Sequence, residues 1–191
     1  MKTLEINYAK FANTVLYLLE GAIPNRPGST VLLKMLWHAD YWHYRKHLSS
    51  ITGGQYVAME RGPVLDGYKN LFERLENDAV VERCDVPVWG QDQVKVEYRP
   101  RMEASDSVLS ELERETLDEV IRECAHKSGN ALSERTHREG PWMMVYPIAP
   151  NKPIPYSLFR WFDNVPTDTD IAAAKVALAR PATRAALASL S

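Results

Sequence analysis

The sequence predicts a mainly α fold: a single compact helical domain with a small antiparallel β-hairpin or sheet. Apolar residues recur at three- and four-residue spacing over most of the chain, which is the period of core-facing helices. Between Val80 and Arg99 the period changes to two, which is typical of strands. The 191 residues, 45% of them hydrophobic, suit one core. We therefore assign residues 1–165 to one domain and residues 166–191 to an alanine-rich helical C-terminal tail.

The two N-terminal helices have the strongest apolar pattern. The spacing predicts a first helix over residues 4–20 and a central helix over residues 31–48, with Ser29 or Thr30 as the N-cap of the second. One broad apolar stripe runs along the central helix and predicts that this helix faces the core. The stripe contains Leu33, Leu36, Trp37, Tyr41, Tyr44 and Leu48.

Turn residues divide the rest of the chain. Gly62-Pro63 predicts the start of a third helix, because proline is tolerated in a first turn. A hairpin is predicted over residues 80–99, with its turn at Gly90-Gln91-Asp92. Further predictions are a helix capped by Ser105-Asp106-Ser107 and stopped by Gly129, a short helix over 131–139, an extended segment over 146–155, and one or two helical turns over 156–162.

Composition excludes several classes of protein. The net charge is −2 and no long run of Lys or Arg occurs, which argues against direct nucleic-acid binding. Cys84 and Cys124 stand far apart, so the sequence indicates neither a disulfide framework nor a zinc site. No apolar segment has the length of a signal peptide core or a membrane span. We therefore expect a cytoplasmic protein with no membrane partner.

Two residues of the central helix call for a specific explanation. Asp40 projects into the apolar stripe, where a carboxylate is costly unless it is paired or hydrogen-bonded. We predict that Arg61 is its partner, since a guanidinium would satisfy both oxygens. Trp42 lies on the opposite side of the helix among cationic residues. A tryptophan with cationic neighbours is typical of an exposed interface anchor.

Two constellations raise the alternative of a small metal-dependent or hydrolytic enzyme. Asp40, His43 and His47 have a helical spacing that would suit zinc or iron. Ser133 and His137 are one helical turn apart, but no third group orients them. Structural roles are commoner for both sets, so we predict no catalytic residue, no metal and no cofactor. The enzyme alternative requires Asp40, His43, His47 and His137 to converge in one pocket.

Three blocks of sequence carry a family resemblance. They are Lys34–Trp42 (KMLWHADYW), Ile51–Val64 (ITGGQYVAMERGPV) and Leu132–Trp142 (LSERTHREGPW). In order and spacing they resemble the blocks of the Panacea domain family, the SocA-like antitoxins. The resemblance covers residues 4–142, with weaker support to residue 162, and Trp37 stands where the family more often has Tyr or Phe.

The resemblance implies a mostly helical, non-enzymatic domain in a bacterial or phage toxin–antitoxin system, with a role in phage defence. Its implied partner is a cognate toxin protein encoded by the adjacent gene, which it neutralises by binding, and a cellular protease is a second implied partner. The motif residues divide into those for folding and those for recognition. We expect Asp40, Arg61, Gly62 and Pro63 in the first group, Trp42, Tyr56, His137 and Trp142 in the second, and Trp37 and Tyr41 as further candidates.

Overall fold

The computed structural model describes residues 6–87, 90, 94–105 and 107–160. Helices dominate this part of the chain and two small antiparallel sheets complete it, which confirms the mainly α prediction. The helices are α1 (Tyr8–Gly21), α2 (Ser29–His47), α3 (Tyr68–Asn77), α4 (Glu111–Cys124), α5 (Gly129–Thr136), α6 (Gly140–Val145) and a 3₁₀ helix (Tyr156–Arg160). The strands are β1 (Tyr56–Met59), β2 (Gly62–Leu65), β3 (Val81–Pro87), β4 (Val94–Pro100) and β5 (Pro153–Ile154).

Helix α2 is the centre of the core. It contacts α1, α4, α5, β2, β4 and the 3₁₀ helix, so side chains on almost all of its faces are buried. Lys34 and His38, which the predicted apolar stripe leaves on the polar side, are 2% and 0% exposed. The helix begins after Gly28, which makes no side-chain cap, and ends at Leu48 in the left-handed conformation. The prediction of a central helix is confirmed, whereas the side opposite the stripe is buried at Lys34 and His38 and exposed only near the end of the helix, at Arg45 and Lys46.

The second sequence block forms a hairpin and not a helix start. Strand β1 pairs antiparallel with β2, with Ala58 opposite Pro63 and Met59 opposite Gly62. Gly62 has a φ of +93°, a conformation that favours glycine and does not occur in an α-helix. The prediction that Gly62-Pro63 begins a helix was therefore wrong, and α3 begins six residues later at Tyr68. Strand β5 adds to the other edge of β1 and completes a sheet in the order β2-β1-β5.

The period-two segment forms the predicted second hairpin. Strands β3 and β4 pair in register from Val81 opposite Pro100 to Pro87 opposite Val94. Of the predicted turn, Gly90 has a φ of +75°, and Gln91 and Asp92 lie outside the described residues.

The helices that follow have different boundaries from those predicted. Helix α4 begins at Glu111, because Ser110 and Glu113 form a capping box there, and the predicted cap at residues 105–107 lies further upstream. Gly129 begins α5, with Ser128 as N-cap, where we expected it only to stop the preceding helix. Leu112 of α4 is 48% exposed and does not belong to the core.

The C-terminal part of the described chain turns back onto the first sheet. The segment after α6 consists mostly of turns, and only Pro153–Ile154 is a strand, so the prediction of an extended segment was wrong over most of its length. The helical turn at Tyr156–Arg160 is confirmed. The predicted helices of the tail, residues 166–191, lie outside the described residues. A search of the described residues finds no helix long and apolar enough to cross a membrane.

Candidate functional site

The carboxylate of Asp40 joins the first sequence block to the second. Its Oδ1 accepts hydrogen bonds from the backbone N–H of Ile51 (2.7 Å) and of Thr52 (2.8 Å). Its Oδ2 accepts from the Thr52 hydroxyl and from the Tyr56 hydroxyl, the latter at 2.8 Å. Burial raises the pKa of Asp40, while these four hydrogen bonds oppose that shift. Asp40 therefore ties the middle of α2 to the loop that leads into β1.

The predicted pairing of Asp40 with Arg61 was wrong. Arg61 lies exposed in the turn between β1 and β2, whereas Asp40 is 0% exposed. The physical reason is that the loop after α2 folds back over the helix and brings two backbone amides and a hydroxyl to the carboxylate. These neutral donors satisfy the buried charge without the cost of burying a guanidinium.

A second buried contact brings all three sequence blocks together. The ammonium of Lys34 donates a hydrogen bond to the carbonyl of Pro63 at 3.0 Å. A Cβ atom placed on Gly62 would lie 2.2 Å from Thr136 Oγ1 and 2.7 Å from Lys34 Nζ. Burial lowers the pKa of Lys34 to about 8, and the charge of Glu139 opposes this shift. Gly62 is required here because any side chain would displace a lysine of the first block or a threonine of the third.

Glu139 connects the third block to α2 by a charged pair. Its Oε1 lies 2.9 Å from Nε2 of His38, and its Oε2 accepts from the indole N–H of Trp37 at 2.5 Å. Burial lowers the pKa of His38, but the Glu139 carboxylate and a contact with Cys124 raise it to a net value of about 9. The imidazole is therefore protonated at neutral pH, and a charged hydrogen bond holds the start of α6 against α2.

Three aromatic rings, two in the third block and one four residues after it, stack near the surface. The rings of His137 and Trp142 lie 4.2 Å apart and those of Trp142 and Tyr146 lie 4.6 Å apart, with interplanar angles of 20° and 12°. The indole N–H of Trp142 donates to the Met59 carbonyl at 2.9 Å, which fixes the stack against β1. All three residues are half-buried.

His137 is the neutral end of this stack. Burial lowers its pKa, a hydrogen bond with the Glu60 backbone opposes the shift, and the Lys34 charge adds to it. Its Nε2 is buried and has no hydrogen-bond partner among the described residues. The ring is therefore uncharged at neutral pH.

The other candidate aromatic residues belong to the core. Trp37 stacks on Tyr41 at 5.2 Å and meets the rings of Tyr56 and Phe159 edge-on, both at 5.1 Å. Tyr56, expected in the recognition group, is 0% exposed and donates to Asp40. These residues contribute to the core, where Trp37 is also 0% exposed.

Trp42 is partly covered and is not the freely exposed anchor that its sequence position predicts. Its ring lies 4.9 Å from the ring of His38, and the guanidinium of Arg135 sits 4.9 Å from its centroid. The residue is half-buried and packs against the core. The cationic neighbours expected around it include His38, which is buried.

The four groups of the enzyme alternative do not all converge: the rings of His43 and His47 lie 4.6 Å apart, but Asp40 and His137 have other partners. Asp40 is bound by the loop after α2, His43 Nδ1 contacts the Thr116 hydroxyl at 3.1 Å, and His137 stacks on Trp142. Among the described residues, no group of three or more His, Cys, Asp or Glu side chains is placed to hold a metal ion. Within the described ranges the Nε2 of His137 has no hydrogen-bond partner, so it makes no hydrogen bond with the Ser133 hydroxyl.

A comparison with protein-family models decides the family. Residues 32–143, more than half of the chain, match the model described as antitoxin SocA-like, Panacea domain. The chain belongs to this family. The match includes all three sequence blocks and confirms the family resemblance that these blocks carry. Searches of curated proteins and of solved structures found no match. Membership in an antitoxin family favours a non-enzymatic role and implies a toxin as partner.

Sequence reasoning missed three polar residues of the site. His38 and Glu139 form the charged contact between α2 and the third block, and Lys34 donates to Pro63 of the second block. A helical wheel places Lys34 and His38 on the solvent side. The available signal was that Lys34 opens the first block and that Glu139 lies inside the third.

Proposed function

We propose that this protein is an antitoxin that neutralises a cognate toxin by direct binding, and that the toxin is the product of the adjacent gene. The family match over residues 32–143 is the observation that carries the proposal. The proposal includes a cytoplasmic location and a division into a family domain, residues 1–165, and a tail, residues 166–191.

The arrangement of the three blocks supports a binding role. Most motif side chains make internal contacts. Asp40 accepts hydrogen bonds from the loop after α2, Lys34 donates to the carbonyl of Pro63, and Glu139 pairs with His38. These contacts fix the backbone of three separate elements relative to α2. The stack of His137, Trp142 and Tyr146 is held by this framework and remains partly open to solvent. A rigid framework that presents aromatic side chains is typical of protein interfaces.

A growth experiment tests the proposed function. The adjacent gene is expressed from an inducible promoter, alone and together with this chain, and colony formation is scored. We expect growth to stop with the neighbour alone and to recover when this chain is present. Recovery with the Asp40→Asn variant, which loses acceptors in the buried network, should be weaker. A neighbour that is harmless alone, or toxic despite this chain, would contradict the proposal.

Delivery of the toxin to a cellular protease is the second form that neutralisation can take. It differs from sequestration in the fate of the toxin. With sequestration, the amount of toxin in the cell stays constant while growth recovers, whereas with delivery the toxin disappears. A pulse-chase of the tagged toxin in cells with and without the major ATP-dependent proteases separates the two.

A further inference from the structure

One surface of the protein combines aromatic, methionine and exposed cationic side chains. We define the aromatic platform as Met59, His137, Trp142 and Tyr146. Met59 is 39% exposed, and its carbonyl accepts the Trp142 N–H. Tyr146 ends the stack and is half-buried. Aromatic residues and methionine are enriched at interfaces, and methionine adapts its shape to different partners.

Three exposed cationic residues lie in the chain segments that form the platform or pair with it, and we define Arg61, Arg138 and Lys152 as its rim. Arg61 follows Met59 by two positions, and Arg138 directly follows His137. The Lys152 carbonyl accepts the N–H of Ala58, the neighbour of Met59, at 2.9 Å. All three side chains are exposed, and within the described part of the chain none forms an ion pair.

The charge of this surface is opposite in sign to that of the whole chain. The same segments carry two exposed carboxylates: Glu60 directly precedes Arg61, and Glu134 lies on α5. Together with the three rim cations, they leave an excess of one positive charge. The chain as a whole carries a net charge of −2. Burial keeps the pKa of His137 low, so the platform itself adds no charge at neutral pH. The surface is therefore apolar at its centre and mildly cationic around it.

We infer that the aromatic platform and its rim bind an acidic, apolar segment of the partner protein. Leucine or aromatic side chains of that segment pack on Trp142, Tyr146 and Met59. Its carboxylates pair with Arg61 and Arg138, whose guanidinium groups offer bidentate geometry. Tryptophan, tyrosine and arginine are the residue types that most often dominate binding energy at interfaces. The inference rests on the proposed function only for the identity of the partner, which is the toxin.

A peptide experiment tests the surface without any toxin. Two fluorescent synthetic peptides are used as probes, one of alternating glutamate and leucine and one of alternating lysine and leucine. We expect the full-length protein to bind the acidic peptide more tightly, by about tenfold, in low salt. The double variant Arg61→Glu and Arg138→Glu should lose this preference. The control is Lys69→Glu, an exposed lysine on α3 that has no ion pair in the described chain and lies outside the rim. It should bind as the wild type does.

Three results would overturn the inference: equal binding of both peptides, tighter binding of the lysine peptide, or the same loss in the control variant. Tighter binding of the lysine peptide would indicate that the rings accept a cationic side chain instead. Circular dichroism of each variant confirms that it is folded before binding is measured.

The toxin itself provides the second test. Hydrogen exchange of the free chain and of its complex with the neighbour's product should show protection at residues 58–62 and 137–146. Tyr146→Ser should weaken the complex, whereas Tyr68→Ser, a half-buried tyrosine on α3, should not. A neutralised toxin with unchanged exchange at the platform would refute the platform and leave the antitoxin function standing. A neighbour that is not toxic would refute the antitoxin function, and the peptide experiment would still decide the platform.

Discussion

The hydroxyl of Tyr56 lies 2.8 Å from Oδ2 of Asp40, and neither residue is exposed to solvent. The same hydroxyl lies 2.8 Å from the Leu36 carbonyl, so it is placed between the backbone and a side chain of α2. This contact fixes the first strand of the hairpin against the central helix. The Gly62 and Trp142 contacts both depend on the position of that hairpin.

We predict that Asp40→Asn lowers the free energy of unfolding by about 3 kcal/mol, because an amide nitrogen would replace an oxygen that accepts two hydrogen bonds. Tyr56→Phe should cost less, about 1.5 kcal/mol, since one hydroxyl is removed. Urea unfolding monitored by circular dichroism measures both. The matched control is Glu115→Gln, an exposed carboxylate on α4, which should change stability by less than about 0.5 kcal/mol.

The requirement for glycine at position 62 can be separated into backbone and packing contributions. Gly62 and Gly67 both have positive φ, +93° and +65°. A Cβ on Gly67 meets nothing within 4 Å, whereas one on Gly62 overlaps Thr136 and Lys34. Gly67→Ala should therefore cost about 1 kcal/mol from backbone strain, and Gly62→Ala about 3 kcal/mol or more. Equal losses in thermal or urea unfolding would show that the three-block contact is not tightly packed.

The Glu139–His38 pair predicts a pH-dependent contribution to stability. The folded-state pKa of His38, about 9, lies above the ordinary value of 6.5, so the pair stabilises fully below pH 6.5. The stabilisation is lost as the pH rises through about 9. The free energy of unfolding of Glu139→Gln should therefore lie furthest below that of the wild type under mildly acidic conditions. Above about pH 9 the two proteins should be nearly equal in stability.

Two measurements check this prediction. The first is urea unfolding of both proteins over the alkaline range, and the second is the NMR titration of the His38 imidazole. In Glu139→Gln the pKa of His38 should drop below its ordinary value, since burial then acts without a counterion. Glu134→Gln on the exposed side of α5 is the control. A stability difference that does not vary with pH would contradict the ion pair.

His43 should make the folded protein less stable in acid, whereas the His38 pair makes it more stable there. Burial, followed by the neighbouring His47, lowers the pKa of His43 to about 4, so the folded state holds this ring neutral. The unfolded chain binds a proton near the ordinary pKa of 6.5, and stability attributable to His43 therefore decreases as the pH falls from 6.5 to about 4. In His43→Gln this part of the acid loss should disappear, as urea unfolding at several pH values can measure. If the free energy of unfolding of His43→Gln depended on acid pH in the same way as that of the wild type, this prediction would be contradicted.

The sequence predicted helices, the second hairpin and the central position of α2, because these depend on periodicity that is local. It failed where the partner of a residue was distant. The partners of Asp40 are two amides and two hydroxyls that the loop after α2 supplies, and no charge pattern marks a backbone amide. Likewise, Gly62-Pro63 fits a helix start by local rules, but pairing with β1 makes it a strand.

The same limit explains the polar residues of the site. A helical wheel assumes that one side of a helix faces solvent, whereas α2 is covered on nearly all sides. Lys34 and His38 are therefore buried beside acceptors that come from β2 and from the start of α6. The resemblance to an antitoxin family identified the right blocks, and their contacts became visible only in three dimensions.

The most direct test of the central claim is the formation of a complex in solution. The chain and the product of its adjacent gene are purified separately, mixed, and analysed by calorimetry and light scattering. We predict saturable binding with a defined stoichiometry and a mass equal to that of a complex. A toxin that is neutralised in cells, yet shows no heat of binding and no change in mass with the purified chain, would contradict neutralisation by direct binding.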